Sequence, residues 1–103
     1  YIEFTLEDNS LPKRRKFLSV IKEIPEIMDC MQLSGDVDYI SFCCFSDIQA
    51  LNEICDQLST NENYTIKRLK TRIVLERSKF FLGFPLERLK WRDEMKLEED
   101  DFE

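Results

Sequence analysis

Residues 33–39 read Leu-Ser-Gly-Asp-Val-Asp-Tyr, a glycine turn that carries two carboxylates between two apolar runs. Gly35 can take a positive φ, and the amides beside it can then point into a common space able to hold an α-carboxylate or an ammonium group. Asp36 and Asp38 offer a charge partner to an amine. The same residues also suit a purely structural bend, since aspartate side chains bond nearby backbone amides. The residues alone leave both readings open. Elsewhere the chain has no histidine, no Cys-x-x-Cys, no phosphate loop and no nucleophile–base pair. Imidazole acid–base chemistry is therefore excluded, a zinc site is not expected, and no catalytic residue, metal ligand or cofactor is assigned.

The remaining chemistry is ordinary. Cys30, Cys43 and Cys55 stand where valine or alanine would fit an apolar pattern, with Cys44 beside them. Free cysteine packs as a small hydrophobe, and that role is expected here in preference to a disulfide or a redox sensor; the implied compartment is reducing and cytoplasmic. The net charge of −6 is uneven: residues 87–103 hold eight acids and four bases, a net of −4, which leaves −2 for residues 1–86. The acidic end reads as a solvated C-terminal tail. Two locally basic sets, residues 13–16 and Lys67, Arg68, Lys70, Arg72, Arg77 and Lys79, lack the interleaved aromatics of a nucleic-acid-binding sheet. They read as solvated faces. No apolar run approaches the roughly 20 residues of a membrane helix, so no membrane contact is expected.

The elements that must position the turn follow from periodicity. Ile2, Phe4 and Leu6 alternate with Tyr1, Glu3 and Thr5, which predicts a half-buried strand. Asn9-Ser10 and Pro12 open a helix in which Phe17, Val20, Ile21 and Ile24 recur at helical spacing, and Pro25 ends it. Residues 27–34 and 38–45 predict two strands joined at Gly35. Ser46-Asp47-Ile48-Gln49 has the form of a capping box ahead of the stripe Ile48, Leu51, Cys55, Leu58. Residues 64–75 predict a last strand, with a bulge where alternation slips between Ile66 and Leu69.

Strand, helix, strand, strand, helix, strand predicts an α+β fold, a ferredoxin-like βαββαβ sandwich with a four-stranded antiparallel sheet and both helices on one face. Residues 38–45 are apolar on both sides. With Tyr39, Cys43 and Phe45 placed on the uncovered face, a monomer would expose a large apolar patch, and a homodimer with sheets packed face to face removes it. Phe80, Phe81 and Phe84 lie in a stretch too apolar for a free tail and are expected at the same interface.

Three segments resemble one family. Ile24-Pro25-Glu26-Ile27 through Cys30, then Ser34-Gly35-Asp36-Val37-Asp38-Tyr39, then Thr71-Arg72-Ile73-Val74-Leu75 are similar to the effector domain of the Lrp/AsnC transcriptional regulators, over roughly residues 1–86. Ser34 departs from the family's usual threonine, and Arg72 adds a cation. The resemblance implies an amino-acid effector at Ser34, Gly35, Asp36, Asp38, Tyr39 and Thr71, bound where chains or dimers meet, and assembly into a dimer or a higher oligomer. It also implies that DNA is contacted only through a helix-turn-helix domain outside these 103 residues. Since residue 1 is Tyr rather than Met, sequence upstream is expected.

The leading reading is thus a ligand-sensing and oligomerisation domain, residues 1–86, followed by the tail. The alternatives are an amino-acid-binding regulatory domain of a metabolic enzyme or a stand-alone effector domain. An enzyme on a dimeric ferredoxin-like scaffold is disfavoured, because relatives of that kind rely on histidine.

Overall fold

Alternation builds the sheet from its centre. In β1 (Ile2–Leu6) the residues Ile2, Phe4 and Leu6 are buried, while Glu3 and Thr5 between them are half-buried. A computed structural model describes residues 1–89 and carries on from β1 through α1 (Leu11–Lys22), β2 (Ile27–Gln32), β3 (Tyr39–Cys43), α2 (Ile48–Ser59) and β4 (Ile66–Thr71). A single 3₁₀ turn, Leu86–Arg88, follows. The sheet order is β2-β3-β1-β4 with every pair antiparallel. This is the ferredoxin-like arrangement expected from the element order. The greater part of the acidic tail, residues 90–103, lies outside the described residues.

Local chemistry explains most boundaries. Ser10 precedes α1 with Pro12 in the first turn, although the capping contact runs the other way: Ser10 N–H donates to Asp8 Oδ1 at 2.9 Å and holds that carboxyl below its ordinary pKa. The start of α2 corrects the capping-box expectation. Asp47, not Ser46, is the N-cap, and its Oδ1 accepts from Ala50 N–H at 2.8 Å. Gln49 bonds Glu53 instead, at 3.3 Å. A carboxylate facing the positive end of the helix is the stronger cap.

The bulge in β4 falls where alternation slips, since Thr5 pairs with Arg68 but Leu6 pairs with Ile66, leaving Lys67 as the extra residue. The strand is shorter than the 64–75 expected. Tyr1 and Arg72 exchange two 2.8 Å backbone bonds at its end, and Ile73, Val74 and Leu75 run on, exposed, without strand partners.

One core forms between the sheet and the two helices. Phe17 of α1 is fully buried, with the rings of Phe4, Tyr39 and Tyr64 at 5.1, 5.2 and 5.3 Å. Ile21 and Leu58 complete it from the helices, and Leu51, Ile54 and Cys55 pack on its edge. Cys30 and Cys43 lie on the same side.

This core corrects the face assignment of β3. Tyr39 is 2% exposed inside the core, and Cys43 and Phe45 pack against it, so these three lie under the helices and not on the open face. The register gives the reason: Tyr39 is opposite Phe4 and Ser41 is opposite Ile2, and inward residues of one strand must meet inward residues of the next. The open face therefore carries Ile40 and Phe42.

Burial raises the pKa of Cys30, Cys43, Cys55, Tyr39 and Tyr64, chiefly by desolvation. Each is an acid whose neutral form the fold prefers, so the associated stability is whole below the ordinary values of 9.0 and 10.0 and is lost as pH rises through the higher folded values. The melting temperature, measured with reductant present, is expected to hold level from pH 7 to about 8 and to fall above about 9. Tyr64 Oη is buried without a protein partner, so Tyr64→Phe is expected to leave the melt at pH 7 unchanged or higher and to make the alkaline fall shallower. An alkaline limb unchanged in that variant would remove Tyr64 from the account.

Candidate functional site

The connection between β2 and β3 is lashed to the end of β1 rather than projecting freely. Leu33 N–H donates to Asp38 O at 2.9 Å, and Asp38 N–H donates to Phe4 O at 3.0 Å. Asp38 Oδ2 then accepts from Leu6 N–H at 2.7 Å, and Oδ1 accepts from Asn9 Nδ2 at 3.3 Å. Both carboxylate oxygens of Asp38 are thus occupied in finishing β1 and steering the chain toward α1.

Asp36 differs. Only its backbone is engaged, its carbonyl accepting from Thr5 Oγ1 at 3.3 Å, and its carboxylate stays exposed. Gly35 sits at φ +102° with open space where a Cβ would be. Among the described residues no protein acceptor takes the amides of Ser34, Gly35 or Asp36. The turn therefore pairs one structural aspartate with one unengaged aspartate and a set of unused amides.

Beside it lies a cavity of ≈ 290 Å³, walled by Glu3, Thr5, Asp36, Val37, Arg68, Lys70 and Arg72. Glu3 accepts from Arg72 Nε at 3.3 Å, and this is the one ion pair among the described residues, within which Arg68 and Lys70 have no carboxylate closer than 4.0 Å. Sequence reasoning missed this wall by treating the basic run as a solvated face. The signal was present as a period of two, because Arg68, Lys70 and Arg72 alternate along β4 and two of them stand opposite Thr5 and Glu3. The open face of the sheet is consequently divided. Its β1–β4 half is charged, and its β2–β3 half carries Met31, Ile40 and Phe42, with Tyr1 against Phe42 at 5.2 Å.

The structure does not bring all the expected effector residues together. Ser34, Gly35 and Asp36 share the turn. Asp38 is committed to β1, and the Tyr39 ring is in the core. Thr71 pairs with Ile2, at the far end of β1 from Leu6 and Asp38, about 13 Å along the strand at roughly 3.3 Å per residue. It lines a different, largely apolar hollow of ≈ 350 Å³ with Phe42, Phe45, Ile48, Leu51 and Val74. Phe80, Phe81 and Phe84 are 64%, 74% and 74% exposed, and Arg77 lies over the rings of Phe42 and Phe80 at 6.0 and 5.7 Å. No helix among the described residues is long and apolar enough to cross a membrane.

The two aspartates should separate in stability measurements. Asp38→Ala leaves Leu6 N–H without its acceptor and is expected to lower the unfolding free energy by about 1–3 kcal/mol in urea titrations. Asp36→Ala should change it by less than about 0.5 kcal/mol, and Gly35→Ala should cost on the order of 1 kcal/mol through its φ alone. Equal costs for the two aspartates would refute the division of labour.

Comparison with known proteins agrees with this architecture. The chain superposes on the crystal structure of an AsnC family transcriptional regulator from Agrobacterium tumefaciens with TM-score 0.69 and 23% identity, covering 84% of this chain and 55% of that one. A transcriptional regulator from Neisseria meningitidis, solved as a complex with L-Met, matches with TM-score 0.71 and 23% identity over 82% of this chain and 54% of that one. The chain thus spans about half the length of these regulators. A search of curated proteins finds no match. The model of the Lrp/AsnC ligand binding domain matches residues 1–81, and the chain belongs to that family.

Proposed function

We propose that residues 1–86 form the effector-sensing and oligomerisation unit of a transcriptional regulator, with the acidic stretch 87–103 as a solvated tail. The effector is a free amino acid or a close analogue. It sits at Ser34, Gly35 and Asp36, its α-carboxylate on the unused amides and its ammonium group at the Asp36 carboxylate. The observation that carries this reading is that the family's ligand-binding domain here retains a turn whose amides and one aspartate do nothing for the fold, while the adjacent aspartate does. The L-Met complex of the Neisseria meningitidis neighbour supports an amino-acid ligand.

The mechanism is linkage rather than catalysis. An effector that binds one assembly state better than another shifts their populations, and DNA affinity changes through a separate domain. Four free thiols suit a reducing cytoplasm. Because an effector that binds only the folded assembly raises its melting temperature by mass action, a thermal-shift screen of the twenty amino acids is expected to give at least one hit. The hit should disappear in Asp36→Asn while the ligand-free melt stays put. Twenty flat curves for the wild type would rule out sensing of this kind.

The proposed homodimer packs the open sheet faces together over Met31, Ile40 and Phe42, with the exposed Phe80, Phe81 and Phe84 covering its edge. The half-buried Ile40 and Phe42 and the exposed Met31 on one sheet half, and an extension with three largely exposed phenylalanines, support it. Light scattering should show a dimer or a multiple of one. Ile40→Glu should dissociate it with the ligand-free secondary structure retained, whereas Phe45→Glu should unfold the chain, since Phe45 lies under the helices. A monomeric wild type at micromolar concentration, or an Ile40→Glu variant that stays assembled, would overturn this interface.

A further inference from the structure

We propose that the effector carries an acidic side chain, with Arg68 and Lys70 as the groups that select it; this rests on the sensing reading above. The turn accounts for only two parts of an amino acid, the α-carboxylate and the ammonium group. Its third part, the side chain, has to leave the turn past Asp36, and Asp36 forms one wall of the ≈ 290 Å³ cavity that Arg68 and Lys70 close from β4. The Thr5 hydroxyl, bonded to the Asp36 carbonyl at 3.3 Å, ties the turn to the cavity floor. The volume lies near the lower end of the range for small-molecule sites, about 300–1,000 Å³, which suits a ligand of a few heavy atoms.

Charge selects among side chains of that size. Glu3 and Arg72 cancel one another through their 3.3 Å ion pair. Arg68 and Lys70 contribute two positive charges and Asp36 one negative, so the cavity as a whole is singly positive. An amino acid with an acidic side chain has a net charge of −1 at neutral pH and neutralises it. A neutral side chain would leave the excess unmatched beside two cations that pair with no carboxylate among the described residues, and a basic one would add to it. The guanidinium of Arg68 presents a planar fork that a side-chain carboxylate can meet with two parallel hydrogen bonds, and Lys70, one pleat along the strand, supplies a point charge to the same group. Glu3 and Asp36 are the acidic groups in the wall; Glu3, opposite Lys70, is paired with Arg72, and neither acid lies within 4.0 Å of an Arg68 or Lys70 nitrogen.

The test is isothermal titration of the full chain, at about 150 mM salt to screen diffuse attraction, with L-glutamate, L-aspartate and their amides L-glutamine and L-asparagine. At least one acid is expected to bind tenfold or more tightly than its amide. Arg68→Gln and Lys70→Gln should each weaken that acid about tenfold while leaving the amide unchanged, one lost charge-assisted contact being about 1.4 kcal/mol. Both positions are exposed, and circular dichroism melts of the variants should superimpose on wild type. Amides that bind as well as the acids would overturn acidic selection and leave sensing intact. Acid affinity that survives both substitutions would overturn the cavity as its site. If no amino acid of the twenty binds, the sensing reading fails and this inference fails with it.

Discussion

Everything about this domain turns on how Phe17 is enclosed. Its ring meets Phe4 from the central strand, Tyr39 from β3 and Tyr64 from the approach to β4, at 5.1, 5.2 and 5.3 Å. Three segments distant in sequence are thereby fixed against α1 by one side chain. Because strand side chains alternate, holding Tyr39 inward also sets Ser41 inward and Ile40 and Phe42 outward. The pairing of Tyr39 with Phe4 sets the parity of β3, the Phe17 ring packs against the inward side it creates, and the composition of the open face follows from that parity.

That open face has two different halves in contact with the same strands. Met31, Ile40 and Phe42 make the β2–β3 half largely apolar, with Asp29 opposite Phe42 on the edge strand, and Glu3, Arg68, Lys70 and Arg72 make the β1–β4 half charged. On the reading proposed here the first half is where copies associate and the second is where the effector ends. An excess positive charge on a face that must approach its own copy opposes association, most strongly at low ionic strength. An effector that cancels the excess weakens that opposition. Coupling between ligand and assembly then needs no conformational change, only a charge that one species carries and the other does not.

The order of elements was legible because β1, α1 and α2 each have one unambiguous apolar face, and the β4 bulge showed as a broken alternation at Lys67. The face of β3 was not legible for the converse reason. Tyr39, Ile40, Phe42, Cys43 and Phe45 are apolar at both parities, so a period of two carries no information there, and only the pairing of Tyr39 with Phe4 decides it. The turn was visible from Gly35 and its aspartates, yet the difference between them was hidden. Both have the same side chain, and what separates them is that Leu6 N–H ends within 2.7 Å of Asp38. The second wall of the cavity was hidden too. It needs Glu3 and Lys70 to be opposite one another, a relation between residues on two strands that neither strand shows by itself.

The two aspartates also explain why an accessible polar turn survives on an otherwise economical fold. A bend made only for structure would be served by Asp38, whose carboxylate finishes β1 and steers the chain to Asn9. Gly35 supplies the positive φ of the bend at a cost in backbone entropy, and Asp36 adds an exposed charge with no side-chain partner among the described residues. Gly35 is what lets the backbone take the bend, whereas the Asp36 carboxylate does not stabilise it. On the proposed reading the Asp36 charge gains a partner only when a ligand with an ammonium group is present, and a feature that is idle without ligand and favourable with it is what a sensor requires. On that reading the arrangement separates holding the turn in place, done by Asp38, from meeting the ligand, left to Ser34, Gly35 and Asp36. Substitutions at the second set can consequently retune the effector without unfolding the domain that carries it.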